Sequence, residues 1–231
     1  MTTRTSEDGL ASSTDPLARS PRWPGVLSLA LSGVCFLLYP VLRPYSDEKS
    51  LDGARAMSST LWIVAHLFAV GGFILFGLGI LAIHSATRRA RGGPIALRSL
   101  VVTWVGIGLL LPYYGAEVFG LHAISGQAWN DRNEALLHLV DTVRYNPAAI
   151  TMFGLGLVLL AAGAVMAARA LSRSSVMMPF GGAVFALGFV LYLPQFFAPG
   201  PVRMVHGLIV LIGCWLAARS LSRARFTALT S

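Results

Sequence analysis

Six stretches of this chain run for roughly twenty residues almost free of charge: about 24–43, 60–83, 99–121, 147–168, 177–197 and 202–218. At about 1.5 Å of helical rise per residue, each falls in the length range that crosses a hydrocarbon core of about 30 Å. A lone strand cannot satisfy its backbone in lipid, so all six are expected as helices. The expected fold is therefore all-α, an integral membrane bundle of six transmembrane helices over 24–220. A disordered cytoplasmic tail, 1–23, precedes it and a second cytoplasmic tail, 221–231, follows.

Composition agrees. Hydrophobic residues make up 55% of the chain, charged residues only 12%, and mean hydropathy is +0.67; soluble domains carry about twice that charge. The net charge of +8 does not point to nucleic acid, because the basic residues sit in short clusters between apolar runs. Lys49 is the only lysine, which with abundant Ala, Gly and Arg suggests a GC-rich genome. Cys35 and Cys214 fall near the middle of apolar runs and are expected as free thiols. The stretch to Arg22 is polar, and no small-residue cleavage site follows the first apolar run, so a tail is expected rather than a signal peptide.

Basic loops resist translocation, so counting Arg and Lys in alternate connections gives an orientation. One side holds Arg4, Arg19, Arg22, Arg88, Arg89, Arg91, Arg98, Arg169, Arg173, Arg219, Arg223 and Arg225. The other holds only Arg43, Lys49, Arg55, Arg132, Arg144 and Arg203, together with Asp47, Glu48, Asp52, Asp131, Glu134 and Asp141. The first side is expected to be cytoplasmic with both termini in, at the cell membrane. The longest outer connection, 122–146, is expected to carry one extracytoplasmic amphipathic helix. It would open with Asp131 and Glu134 in capping-box spacing and end near Arg144. Leu136, Val140 and Val143 form its apolar stripe, opposed by Glu134, His138, Asp141 and Tyr145. Glu134, His138 and Asp141 have metal-ligand chemistry, though such a stripe is ordinarily a solvated face.

Phe76-Gly77-Leu78-Gly79 recurs as Phe153-Gly154-Leu155-Gly156, and Pro40, Pro112 and Pro194 each lie near the outer end of an outward-running helix. Three related hairpins are one reading of this echo and chance in glycine-rich sequence is the other. Gly71, Gly72, Gly154, Gly181 and Gly182, with Ala116 and Gly120, are expected to allow close helix contact.

An ionisable group in hydrocarbon is expensive, so its position points to function. Glu117 is the only acidic residue within a span, about 27 Å along from Ser99 and so near the outer interface. Tyr113 and Tyr114 share its helical neighbourhood, and Pro112 is expected to loosen the helix there. His66, His122 and His206 fall at a similar depth, and Gln195 and Arg203 complete a candidate ligand-binding cluster; His84 belongs to the inner interface. Three readings of the cluster compete. One is interhelical hydrogen bonding, with Glu117 paired to a histidine or to Arg203. A second is an outward-opening site for a small ligand or proton, with Glu117 titrating against His66 or His206. The third is a haem or transition-metal redox centre on His66, Glu117 and His206, although no HExxH, CxxC or paired-His motif fixes its geometry. The second reading leads, with no cofactor predicted. A structural or accessory subunit, docked on a membrane partner or on a second copy of the chain, remains an alternative. No nucleophile elbow, Walker loop or aspartate-rich motif marks an enzyme.

Pro112–Ile124, Ala65-His66-Leu67 and the glycine-rich second helix resemble uncharacterised multi-pass membrane proteins of actinobacteria. That resemblance implies membrane class and location and carries no activity.

Overall fold

The computed structural model describes residues 23–224, and every regular element among them is helical. The expected first tail, up to residue 22, and residues 225–231 lie outside the described residues. The order is α1 (Trp23–Leu42), α2 (Leu51–Met57), α3 (Thr60–Thr87), α4 (Gly93–Gly115), a π-helical turn (Ala116–Gly120), α5 (Leu121–Asp131), a 3-10 turn (Glu134–Leu137), α6 (His138–Arg144), α7 (Pro147–Arg173), α8 (Pro179–Val190), a second 3-10 turn (Pro194–Phe197) and α9 (Gly200–Arg223). Ser50, Ser59 and Asn146 cap α2, α3 and α7 by accepting from backbone N–H groups of the first turn.

Five segments are long and apolar enough to cross a membrane: α1, α3, the continuous run Gly93–Asp131, α7 and α9. They are apolar on the outside as well as within. Leu31, Ile74, Val101, Val105, Val158 and Ile212 are all exposed, an arrangement that suits lipid and not water. The segment expected as a span over 177–197 is different. Its helix α8 has 12 residues, about 18 Å. The break has a local cause, because the Pro194 ring would collide with the carbonyl of Val190 in a continued helix. A turn and the second 3-10 turn complete its path, which still runs from beside Leu216 near the end of α9 to Gly200 beside the Tyr45 ring, just past the end of α1.

Helix α1 packs between α3 and α9, α4 lies against α7, and α8 fills the space between α7 and α9. Polar side chains reach across to carbonyls of neighbouring helices: Ser32 Oγ donates to Gly72 O at 2.9 Å and Ser99 Oγ to Gly163 O at 2.7 Å. Of the glycines expected at close contacts, Gly72 meets Phe36, Gly181 lies against Met177 and Gly182 is in ordinary contact with Ala168, whereas Gly71, Gly154 and Gly120 face open space. Between α4 and α7 the backbones come close at Gly106, where a Cβ would lie 2.9 Å from Gly156 O. The FGLG echo packs alike only in part: Gly79 and Gly156 are both buried against a leucine, Leu29 and Leu110, whereas a Cβ would meet Trp104 and Ile107 at Gly77 and open space at Gly154.

One end of the bundle carries a separate small core of Ala54, Met57, Trp62, Leu121, Ala128, Leu137 and Val140, contributed by α2, the start of α3, α5, the first 3-10 turn and α6. This cap corrects the expected outer helix in two ways. Helix α5 prolongs the third long segment through Asp131, and Arg132, in a left-handed conformation with φ 52°, ends it. Glu134 closes no capping box; Asn133 caps the turn, and Glu134 accepts from the Leu51 N–H at 3.1 Å, tying the connection to α2. The expected stripe holds, with Val140 buried and Leu136 and Val143 packed on the cap core, while Glu134, His138, Asp141 and Tyr145 are exposed. Among the described residues every Asp and Glu belongs to this cap end or to the Glu117 turn beneath it.

Candidate functional site

Pro112 sits inside α4, and the helix widens into its π-helical turn one turn later, at Ala116–Gly120. Such a widened turn disrupts the regular ladder and presents side chains at altered angles, a recurrent feature of functional sites. Glu117 is on this turn, 8% exposed. The Trp62 indole, fully buried on α3, donates to the Glu117 carbonyl at 2.8 Å and fastens the turn to the neighbouring helix.

The Glu117 carboxylate is held by Arg144 at the end of α6, Nε to Oε1 at 2.7 Å and Nη2 to Oε2 at 3.0 Å. This is the bidentate geometry in which guanidinium and carboxylate match best. The Nη1 of the same guanidinium donates to Glu48 Oε2, and Arg43 donates to Glu48 Oε1. Arg43, Glu48, Arg144 and Glu117 therefore alternate in sign along one chain, which joins the end of α1, the loop before α2, α6 and the π-helical turn. Burial disfavours charge on Arg144, but Glu117 and Glu48 outweigh it and hold its pKa above the ordinary arginine value. Burial likewise opposes charge on Glu48, yet Arg144 and Arg43 overcome it and keep that carboxyl below the usual range.

His66 lies beneath the carboxylate. Its Nδ1 donates to the Trp62 carbonyl at 2.8 Å, since a carbonyl can only accept. Its Nε2 then faces Glu117 Oε2 at 3.9 Å, beyond hydrogen-bond range. A proton added at Nε2 would meet Glu117 as its counter-ion. The imidazole is enclosed by the Trp62 ring at 4.3 Å and the Tyr39 ring at 5.2 Å, with Tyr114 at 6.4 Å. The Arg43 guanidinium lies over the Trp62 ring, 4.8 Å from its centroid.

The structure thus brings together Glu117, His66 and the two tyrosines of α4. Tyr114 is buried beside His66, and Tyr113 stacks on Phe153 at 4.3 Å within electrostatic reach of Glu117. His122 lies in the cap, its Nδ1 donating to Met57 O at 3.1 Å. The other three expected residues form a second junction around α9. His206 Nε2 donates to Gly188 O at 2.7 Å and its ring packs on Tyr192 at 5.3 Å. Arg203 donates to the carbonyls of Ala198 and Phe196 at 2.8 and 2.7 Å, and Gln195 is buried in the same turn. Glu117 is thus paired with Arg144 and not with Arg203. Among the described residues no group of three or more His, Cys, Asp or Glu side chains is placed to share a metal ion. His206 stands apart from the His66–Glu117 pair, and Glu134 and His138 of the cap are engaged with the Leu51 N–H and the Ala135 carbonyl.

Arg43, Glu48 and Arg144 are the members that the sequence did not single out as site residues. The signal for Arg144 was present, because it falls four residues after Val140, on the apolar stripe of its helix; an arginine there requires a buried anion. Glu48 had no comparable signal, since it sits in a loop among other polar residues.

No family model matches the chain, and no curated protein and no solved structure matches it.

Proposed function

We propose that this is a six-crossing membrane protein, termini on the cytoplasmic side, that binds or moves a proton or small cation at Glu117 in its outer half. The apolar exterior of five long helices supports the membrane setting, and the arginine-rich end supports the orientation. The observation that carries the functional reading is the Arg144–Glu117 pair above the open Nε2 of His66. A buried carboxylate whose cation comes from a seven-residue peripheral helix is a cation site with a tethered occupant. Withdrawal of α6 would leave Glu117 free for an external cation, and a proton on His66 Nε2 would compete with Arg144 for the same oxygens.

Uptake of protons and of labelled guanidinium into vesicles containing the purified protein tests this, guanidinium being the group that Arg144 itself presents. Wild type should exceed empty vesicles, while Glu117→Gln should fall to their level and still elute as folded protein. Uptake by Glu117→Gln equal to wild type would remove Glu117 from the site. No uptake of either cation by wild type would favour a second reading, in which the four-residue charge chain is a latch that closes the cap over the bundle. That reading is supported by the number of elements the chain joins.

A further inference from the structure

The opposite end of the molecule holds a feature that the Glu117 site does not use. A groove of about 810 Å³ runs between α4, α7 and α8, within the size range of small-molecule sites. One wall is α8, whose Pro179, Gly182, Ala183 and Ala186 fall at positions i, i+3, i+4 and i+7 and so share one face. These small side chains leave the trough open. Val165 and Met166 of α7 line it as well, and α4 and α8 both expose large apolar side chains, among them Leu97, Val101, Phe180 and Leu187.

At the end of this trough the chemistry changes. Arg98 of α4 and Arg169 and Arg173 of α7 line it, the latter two one helical turn apart on the same face. All three are exposed, and none has an ion-pair partner among the described residues, whose carboxylates all lie at or near the cap end. Ser172 lines the groove as well, its hydroxyl facing Gly182 of α8.

We infer that this groove binds one anionic phospholipid, with its phosphate among Arg98, Arg169 and Arg173 and an acyl chain along the small-residue face of α8. Three guanidiniums gathered at one end of an apolar trough complement a molecule that is anionic at one end and apolar along its length. A free inorganic anion would use the arginines and leave the trough exposed. Basic pockets between membrane helices recognise anionic headgroups through the same charge-assisted contacts.

Native mass spectrometry of the full-length protein, offered phosphatidylglycerol and phosphatidylcholine in equal amounts, tests the inference. Wild type should retain phosphatidylglycerol over phosphatidylcholine by at least about tenfold. The triple variant R98Q/R169Q/R173Q should lose that preference, and A183L, which fills the trough with every arginine in place, should weaken retention about as strongly. R88Q/R219Q/R223Q removes the same charge from the same end outside the groove and should behave as wild type. Equal loss in that second triple variant would mean attraction to the basic end as a whole and would overturn the inference. So would full retention by A183L together with displacement by inorganic phosphate, which would mark a plain anion site.

Discussion

The two ends of this molecule use arginine in opposite ways. At the cap end Arg43 and Arg144 are largely buried, with side-chain exposures of 10% and 14%, and both are committed to carboxylates of the same chain. At the other end Arg98, Arg169 and Arg173 are exposed with no ion-pair partner among the described residues. Position in the fold decides which use is open to the residue. Where the cap shuts water out, a guanidinium is tolerable only beside an anion, and once paired it becomes a structural tie. Where the helices end at an interface, a guanidinium keeps its hydration and remains available to something outside the chain.

The largest expected effect separates the two ends directly. Arg144→Ala leaves Glu117 buried and unpaired and Glu48 with one partner, a loss expected to cost about 3–5 kcal/mol. Arg169→Ala removes the same charge from an exposed position and should stay within about 0.5 kcal/mol. Thermal unfolding of both variants in one detergent measures the contrast, and equal shifts would break it. Restoring charge balance sharpens the test. Adding Glu117→Leu to Arg144→Met should recover most of the lost stability, because a buried ion pair replaced by apolar residues of similar volume is often neutral.

Acid should act on the same end alone. Glu48 is held below the ordinary carboxylate range by Arg144 and Arg43 against the cost of its burial, so its folded pKa lies below its unfolded one. The stability it contributes is complete above an unfolded value of about 4.3 and is lost as pH falls through the folded value. Hydrogen exchange followed down the pH scale should therefore show α2 and α6 opening before the α4–α7 contact. Simultaneous opening would mean that the charge chain does not hold the cap.

Much of this arrangement was legible in the sequence, and the illegible part has a physical cause. The long apolar runs gave α1, α3, α4, α7 and α9 because in lipid the backbone leaves a single local solution. The fifth run, 177–197, was ambiguous because composition measures apolarity and not continuity; Pro194 cuts the helix without changing hydropathy. That Glu117 needs a partner was legible, because an ionisable group in a span must find one, but His66, His206 and Arg203 stayed equally open for that role. The place of Arg144 on the apolar stripe of α6 signalled a buried anion but not which one, since only the folding of α6 over the π-helical turn brings residues 117 and 144 together. The separation of His206 from His66 was likewise invisible, because depth along a helix says nothing about which neighbour it faces.

The smallest expected effect of breaking a contact within the bundle lies between α4 and α7 towards the arginine-rich end, where the holding interaction carries no charge. Ser99 is fully buried and donates to Gly163 O at 2.7 Å. Loss of such a bond between membrane helices averages about 0.6 kcal/mol, and two local features keep it small. Gly163 O lies within α7, whose backbone ladder survives the substitution. Thr103, one turn further along α4, lies against Gly163 with a buried hydroxyl that has no partner among the described residues. Ser99→Ala should therefore lower the unfolding midpoint only slightly, and Ser99→Ala/Thr103→Val by somewhat more. A drop for Ser99→Ala as large as that for Arg144→Ala would mean that this neutral contact anchors the bundle as firmly as the buried charges do, and the contrast between the two ends would fail.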